Sequence, residues 1–370
     1  MKQGGAVSIS LKWRSASERV IMKKNLKDYT YEELEKIIKE EFGEPKFRAG
    51  QIYKWLHSGA QSFDDMTNIS KGLKERIGES YSVGKINILE KYISAIDETR
   101  RYLLELEDGN MVESVLMKYK HGYTICISSQ VGCAMGCKFC ASTLCGKVRN
   151  LTAGEIEGQV LTVQRDLGER ISNIVMMGIG EPLDNFDEVL KFLENVNSPM
   201  GLNIGHRHIS LSTCGIVPRI KELADRQLQI TLSISLHAPD NEKRSEIMPV
   251  NKKYPIEELL DSCRYYIKKT NRRISFEYTL IGGVNDTEEE AKKLLKLIGG
   301  MLCHVNLIPV NAVKETGFTQ GTRKNIENFQ KVLEKGGIST TIRREMGADI
   351  SAACGQLRAG KQKNRTRITN

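Results

Sequence analysis

The chain has 370 residues, 40% of them hydrophobic and 27% charged, which suits a globular enzyme of two domains or one large domain with an accessory part. It contains no apolar run of about 18 residues, as a membrane-spanning helix needs, and no secretory signal, so we expect a cytoplasmic protein without membrane attachment. The 55 lysines and arginines outnumber 46 acidic residues, and the net charge of +9 suits RNA, although a solvated basic surface gives the same count.

The N-terminal part is predicted to be an extension followed by helices. Residues 1–22 are expected to be a flexible extension, because KKNLKDYTYEEL after Met22 has the character of a domain start. Residues 23–84 are expected to form a helical accessory domain, with apolar residues at helical spacing in YTYEELEKIIKEEFG and shorter helices in PKFRAGQIYKWLHSG and NISKGLKERIGESY. Its basic residues could contact RNA, or form only a solvated face.

Residues 85–120 are predicted to be a β linker. INILEKYIS, RRYLLELED and MVESVLMKY are the expected strands, and Asp108-Gly109 predicts a hairpin between the last two. Period two places Glu113 among apolar residues on one face of the last strand. Such a carboxylate is usually an edge charge facing solvent, but burial would raise its pKa as a general base requires.

Residues 121–345 alternate between strand and helix. Six strand–helix units run from YTICISS to RKNIENFQKVLEKGG, and STTIRRE adds a last strand. Alternation of this kind implies parallel strands with right-handed crossovers. Six units are too few for the eight of a closed barrel. We therefore predict an α/β fold with an open, partial (β/α)6 barrel, and a doubly wound sheet is the alternative.

Polar residues recur where the predicted strands end. In parallel α/β folds the chemistry lies beyond the carboxyl ends of the strands, so these residues predict an active site on that rim. After the first strand comes the cysteine loop, and the ends of later strands carry Gly180, Glu181, Ser212, Ser235, Leu236, His237 and Asn311.

The cysteine loop, GCAMGCKFCAST, places Cys133, Cys137 and Cys140 at C-x3-C-x2-C spacing. Nine cysteines in a long chain without a secretory signal disfavour a disulfide scaffold and favour reduced thiols with metal or catalytic roles. Thiolates bind zinc or iron–sulfur clusters, and no histidine lies close enough in sequence to complete an ordinary zinc knuckle. A cubane cluster on three thiolates would leave one iron open to a small ligand.

This spacing, with Phe139 directly before Cys140, resembles the radical S-adenosylmethionine (SAM) superfamily. ISSQVGCAMGCKFCAST, MGIGEPLDN, LSISLHAPDNEKRSEIMPVNKKYP, HVNLIPVN and GADISAACGQL further resemble the RlmN family, and the resemblance extends from Tyr31 to Leu357. It implies a [4Fe–4S] cluster and SAM as cofactors. It also implies methylation of carbon 2 of adenosine 2503 in 23S rRNA and of adenosine 37 in tRNAs.

The resemblance also implies a role for each matching residue. The cluster ligands would be Cys133, Cys137 and Cys140. The SAM contacts would be Gly180, Glu181, Ser212, Ser235, Leu236, His237 and Asn311. Cys354, within the C-terminal segment 346–370, would be methylated. Cys126 would be the resolving cysteine and Glu113 the base.

Carbon 2 of adenine is not a nucleophile, so ordinary methyl transfer from SAM would fail. In the reaction that the resemblance implies, one SAM methylates Cys354, because a thiolate is a good nucleophile. A radical from a second SAM then takes a hydrogen from that methyl group, and the methylene adds to carbon 2. Glu113 removes the carbon-2 proton, and a disulfide between Cys126 and Cys354 releases the RNA.

The expected partners are 23S rRNA, tRNA and a flavodoxin- or ferredoxin-like electron donor, and we expect a monomer. The helical domain and the basic tail KQKNRTRITN could contact the RNA backbone. Two alternatives remain. One is the related Cfr family, which methylates carbon 8, although GEPLDN and ISLHAP are more similar to RlmN. The other is a non-catalytic, zinc-stabilised RNA-binding protein.

Overall fold

The structure, a computed structural model, describes residues 23–311, 313, 315–358 and 360–361. The extension predicted at residues 1–22 and most of the basic tail lie outside the described residues. In the part that is described, no helix is long and apolar enough to cross a membrane.

The N-terminal region is helical, as predicted, with a hydrophobic core of its own built from residues such as Leu34, Ile52 and Leu73. The first long helix begins with a capping box, in which the side chains of Thr30 and Glu33 each accept a hydrogen bond from the other's backbone N–H. The elements are β1 (Lys24–Asn25), α1 (Tyr31–Glu40), α2 (Lys46–His57), α3 (Lys71–Ser80) and β2 (Tyr81–Ser82).

The three strands predicted in the linker are confirmed as β3 (Asn87–Ile93), β4 (Arg100–Glu105) and β5 (Asn110–Tyr119). They pair antiparallel with one another, and Gly109, with a φ of +78°, lies in the turn between β4 and β5. The linker is continuous with the barrel, because β5 also pairs antiparallel with the first barrel strand.

Most of the remaining elements form the barrel. In chain order they are β6 (Gly122–Cys126), β7 (Gln130–Gly132), β8 (Lys147–Asn150), α4 (Ala153–Leu167), β9 (Ile171–Met176), α5 (Phe186–Asn197), β10 (Ile209–Thr213), α6 (Val217–Asp225), β11 (Thr231–Ser235), α7 (Asn241–Ile247), α8 (Ile256–Thr270), β12 (Ile274–Leu280), α9 (Glu288–Ile298), β13 (Cys303–Pro309), α10 (Arg323–Lys335), β14 (Thr340–Ile342) and β15 (Gly360–Lys361). The exceptions are β7 and β8, which make a separate two-stranded sheet, and β15, which pairs antiparallel with β5. All six predicted strand–helix units are present. The short helix α7, between β11 and α8, is an additional element that does not belong to the predicted strand–helix units.

The main sheet has the sequential order expected of a partial barrel. Strands β6, β9, β10, β11, β12, β13 and β14 are neighbours in that order, and all of these pairings are parallel. In the described part of the chain β14 pairs only with β13, so the sheet is open. A doubly wound sheet reverses its order near the middle, and this sheet does not, which excludes that alternative.

The two faces of the sheet differ in polarity. On β12, Phe276 and Tyr278 point toward the helices and belong to the main hydrophobic core, whereas Glu277 and Thr279 point to the inner face. Both faces of β12 are therefore buried, but the side chains on its inner face are polar.

The helical region is fastened to the barrel through buried polar contacts. His57 Nδ1 lies 2.7 Å from Glu157 Oε2 on α4, and both side chains are fully buried. The Tyr53 hydroxyl donates to Asn195 Oδ1 on α5 at 3.1 Å. Because buried polar groups are costly when unpaired, these contacts specify how the region docks.

Candidate active site

The cysteine loop connects the antiparallel strands β7 and β8. A Cβ atom on Gly132 would lie 1.9 Å from the carbonyl oxygen of Gly146, so only glycine allows the two ends of the loop to approach this closely. Burial raises the pKa of the Cys133 thiol to about 12 and also raises the pKa values of Cys137 and Cys140. Binding of a metal centre would therefore have to displace these protons.

One cavity at the carboxyl ends of the parallel strands brings most of the predicted residues together. Its volume is about 160 Å³, below the ~300–1,000 Å³ of common ligand pockets, and Cys354 and Gly355 form part of its wall. The predicted residues in its lining are Cys133, Cys137, Cys140, Gly180, Glu181, Ser212, Ser235, His237, Asn311 and Cys354.

Three predicted residues do not line this cavity. The Leu236 side chain belongs to the main hydrophobic core, and its backbone N–H donates to the carbonyl oxygen of Glu277 at 3.1 Å. Leu236 therefore contributes to the rim through its backbone. Glu113 and Cys126 lie next to the C-terminal segment instead, in the contacts described below.

Glu181 is a buried carboxylate that points into the cavity. Its Oε2 accepts a hydrogen bond of 2.7 Å from the Cys214 backbone N–H, and its Oε1 accepts one of 3.0 Å from the Leu183 N–H. Burial raises the pKa of this carboxyl, while the backbone hydrogen bonds oppose the rise. Gly180, with a φ of +107°, lies so close to Gln130 that a Cβ would approach it to 2.6 Å. The result is a fixed carboxylate suited to binding an ammonium group.

His237 is held as a neutral imidazole. It lies in the left-handed region at a φ of +58°, and its Nδ1 accepts a hydrogen bond of 2.9 Å from the Thr279 N–H. Burial lowers the pKa of the ring to about 3, so the proton of the neutral ring is on Nε2. The ring lies nearly perpendicular to the ring of Phe139 in the cysteine loop, with centroids 4.9 Å apart and an angle of 77° between the planes.

The C-terminal segment that carries Cys354 is bonded to the rim. The Asn311 side-chain amide donates to the Cys354 carbonyl oxygen at 2.9 Å. The Ala141 N–H donates to the Gly355 carbonyl oxygen at 2.7 Å, and the Ser142 hydroxyl donates to the Leu357 carbonyl oxygen at 2.8 Å. Cys354 is therefore placed against the cysteine loop, although 214 residues separate it from Cys140 (354 − 140).

Cys126 and Glu113 lie on one face of the sheet beside this segment. Cys126 pairs in register with Val115, and both pack with Ala352. Burial raises the pKa of the Cys126 thiol to about 12, and the nearby Cys354 adds to the rise. Glu113 lies two residues before Val115 and thus shares its face.

The Glu113 carboxylate is buried, so the expectation of an ordinary solvent-facing edge charge does not hold. It accepts hydrogen bonds from Arg101 Nη1 at 2.9 Å and from the Arg358 backbone N–H at 2.8 Å. Burial raises its pKa, and Arg358 and Arg101 oppose the rise. A buried carboxyl with a raised pKa beside Cys354's segment has the properties of a general base.

Sequence reasoning missed Arg244, a fully buried arginine on α7. Its guanidinium donates to the carbonyl oxygens of Cys214 (2.7 Å), Ser235 (3.1 Å) and Leu236 (3.1 Å) and to Asn251 Oδ1 (2.9 Å). Burial lowers its pKa to about 10. Arg244 thus ties the ends of β10 and β11 together. In sequence it stands in a short charged stretch that is typical of a surface, so no signal could have identified it.

The donor set of the cysteine loop fits an iron–sulfur cluster. The thiolates of a cubane cluster bind different irons and are therefore farther apart than the ligands of a single ion. Cys133, Cys137 and Cys140 line one cavity and supply the three thiolates that such a cluster would need.

Comparison with known proteins defines the class. Residues 127–298 match the radical SAM superfamily, and residues 24–83 match the ribosomal RNA large subunit methyltransferase N-terminal domain. The crystal structure of a radical SAM methyltransferase from Sphaerobacter thermophilus is 41% identical, with a TM-score of 0.86, over 90% of this chain and 99% of that chain. The protein is therefore a radical SAM enzyme, and members of this superfamily use a [4Fe–4S] cluster and SAM.

Curated relatives define the family. A protein of Clostridium novyi named "Probable dual-specificity RNA methyltransferase RlmN" is 57% identical over 92% of this chain and 99% of its own length. One of the same name from Clostridium beijerinckii is 60% identical over 90% of this chain and 94% of its own length. The chain belongs to the RlmN family.

Proposed function

We propose that this protein methylates carbon 2 of adenosine in RNA, at adenosine 2503 of 23S rRNA and at adenosine 37 of tRNAs. The observation that supports this best is that Cys354 lines the same cavity as Cys133, Cys137 and Cys140. Direct transfer from SAM would not need a fourth thiol there, whereas transfer through a methylated cysteine would. The relatives named as dual-specificity RNA methyltransferases support RNA as the substrate.

The cavity would bind both cofactors. Cys133, Cys137 and Cys140 would hold the cluster, which when bound supplies the electron that cleaves SAM. The Glu181 carboxylate would bind the amino group of SAM, because its oxygens are fixed by backbone N–H groups and its charge is complementary. The other contacts would come from Gly180, Ser212, Ser235, Leu236, His237 and Asn311, with Leu236 acting through its backbone.

Cys354 would carry the methyl group to the RNA. Because the cavity is small while Cys354 and Gly355 form part of its wall, we expect the C-terminal segment to shift when the cofactors bind. The shift would exchange hydrogen bonds such as the one from the Ser142 hydroxyl to the Leu357 carbonyl oxygen for contacts with the cofactors, while the bond from Asn311 to Cys354 is kept. Such bonds contribute about 0.5–1.5 kcal/mol each, so the segment can shift at a small free-energy cost only if few of them break.

Glu113 and Cys126 would complete the reaction from the neighbouring face. Glu113 would remove the proton from carbon 2, for which a carboxyl with a raised pKa is suited. Cys126 would then form a disulfide with Cys354 and release the product. Burial keeps the Cys126 thiol protonated, which would prevent it from reacting before the RNA is joined to Cys354.

Several expectations remain predictions: the electron donor of flavodoxin or ferredoxin type, the monomeric state and the cytoplasmic location. The function itself is tested with protein purified without oxygen and supplied with SAM, a reductant, and either an rRNA fragment or tRNA. Mass spectrometry of the nucleosides should detect 2-methyladenosine. Detection of 8-methyladenosine would instead indicate Cfr-type specificity, and unmodified RNA with both substrates would contradict the proposal.

A further inference from the structure

A second cavity adjoins the first one at Cys354. Its volume is about 590 Å³, within the ~300–1,000 Å³ of common ligand pockets. The two cavities share five residues of their walls: Ile308, Val310, Asn311, Arg343 and Cys354. The cluster cysteines and the predicted SAM contacts other than Asn311 are absent from the second lining. This larger space is thus adjacent to the cofactor site but has a different chemistry.

A methyl carrier must be reached from two directions. It takes its methyl group from SAM on one side and passes carbon to the RNA base on the other. Cys354 satisfies this requirement, because it belongs to both walls. With cluster and SAM in the first cavity, the second is the space next to Cys354 in which an acceptor can lie.

The second lining offers an aromatic surface. Tyr119, at the end of β5, is 40% exposed and stacks on the ring of His121, with centroids 5.3 Å apart and an angle of 10° between the planes. The stack holds the Tyr119 ring in one orientation. Bases stack on aromatic side chains of this kind with about 1–3 kcal/mol each, whatever their sequence.

The lining also carries positive charge. Arg344 is exposed and forms no hydrogen bond or ion pair with another described residue. The nearest carboxylate to Arg343 is Glu277 at 3.9 Å, and Glu277 already accepts a hydrogen bond of 2.8 Å from Asn306. Glu345 is the acidic member of the lining, which leaves one net positive charge. Aromatic and cationic groups together suit a nucleotide with its phosphates.

We propose that the second cavity holds the target nucleotide after it leaves its stack, with Tyr119 packed against the base and Arg344 on an adjacent phosphate. The proposal rests on the proposed function and adds the residues that recognise the acceptor. Enzymes that modify a base commonly take it out of its stack and read it in a separate pocket. Tyr119 and Arg344 are positioning residues in this arrangement, and Cys354 reacts.

The test has two measurements. The first is the fluorescence of RNA that carries 2-aminopurine at the target position when it binds to the full-length protein. The second is the steady-state kinetics of methylation of RNA without 2-aminopurine. Tyr119→Ala should raise KM for RNA about tenfold and relieve the quenching of 2-aminopurine, since stacking is lost. Tyr119→Phe should behave as wild type, because the ring remains. Arg344→Ala should weaken RNA binding. It should also reduce the slope of the logarithm of the binding constant against the logarithm of salt concentration by about one, which corresponds to the loss of one phosphate contact.

Two controls make the outcome specific. Tyr265→Ala, on α8, is the control for Tyr119→Ala, and Arg226→Ala, directly after α6, is the control for Arg344→Ala. Both control variants should leave RNA binding unchanged. SAM-dependent methylation of Cys354, measured on the intact protein without RNA, should persist in every variant. Unchanged KM and fluorescence in Tyr119→Ala and Arg344→Ala would overturn this inference while leaving the function intact. Wild-type protein that cannot methylate RNA would instead contradict the proposed function itself.

Discussion

The side-chain amide of Asn311 donates a hydrogen bond of 2.9 Å to the backbone carbonyl oxygen of Cys354. Asn311 lies two residues beyond the end of β13, so the bond joins the C-terminal segment to the rim of the sheet. The cysteine loop holds the same segment from the other side through Ala141 and Gly355. Cys354 therefore has a defined position relative to both the strand ends and the cysteine loop.

Asn311→Ala should uncouple SAM cleavage from RNA methylation. Without the amide, Cys354 would be positioned less well, and misplacement of a reacting group by about 1 Å can cost a hundredfold in rate. We expect the ratio of 5′-deoxyadenosine to methylated RNA to rise severalfold. Both products are measured by chromatography and mass spectrometry. Asn87→Ala, at the far edge of the sheet, is the control. A parallel fall of both products would show that Asn311 only binds SAM.

Glu113→Gln should slow RNA methylation by about 10²–10⁴-fold, the usual contribution of a general base, while methylation of Cys354 continues. The two carboxylate oxygens accept separately from Arg101 Nη1 and the Arg358 N–H, and the amide keeps only one acceptor oxygen, so one hydrogen bond worth about 0.5–1.5 kcal/mol is lost and the fold should persist. Single-turnover kinetics measure the rate. Glu105→Gln on the adjacent strand should have no effect. A Glu113→Gln rate within twofold of wild type would exclude the base role.

Stability should depend on pH through Asp28, which accepts a hydrogen bond of 3.0 Å from the Gly154 N–H at the start of α4. Burial raises its pKa from 3.8 to about 6, so the folded state binds the proton more tightly than the unfolded state. Its contribution is present below pH 4 and is lost as pH rises to about 6. An asparagine side chain does not ionise, so the Asp28→Asn variant should not show this loss of stability as the pH rises.

The unfolding free energy of Asp28→Asn minus that of wild type should therefore increase by about 2–3 kcal/mol between pH 4 and pH 7. Urea unfolding at several pH values measures it, and the exposed Asp64→Asn serves as control. A difference between the two proteins that stays constant with pH would refute the raised pKa of Asp28.

Arg244→Met should destabilise the protein by more than about 3 kcal/mol. The substitution removes a donor from four acceptors at once. The Leu236 carbonyl oxygen keeps the Ala238 N–H, but each buried acceptor that is left unpaired costs about 1–3 kcal/mol. Thermal unfolding followed by circular dichroism measures the change, with the exposed Arg226→Met as the matched control. An equal melting temperature for both variants would show that Arg244 does not hold the rim.

The barrel could be predicted because apolar strands and amphipathic helices repeat at a regular spacing. The rim was predictable as well, since parallel strands end at one edge and Glu181 and His237 each follow a strand. The helix α7 was not, because seven mostly polar residues have no clear apolar stripe. The placement of Cys126 near Cys354, which is 228 residues away in sequence (354 − 126), depends on tertiary contacts, and in the sequence only the family resemblance indicated it.

The most direct test of transfer through Cys354 uses Cys126→Ala, incubated with SAM, reductant and RNA, and then digested and analysed by tandem mass spectrometry. Without the resolving thiol, the link between protein and RNA cannot be released, so a peptide with Cys354 joined through one carbon to adenine should accumulate. Cys303→Ala, which changes a cysteine at the amino end of β13, should turn over and show no such peptide. Normal turnover by Cys126→Ala without any Cys354-linked adenine would contradict the account.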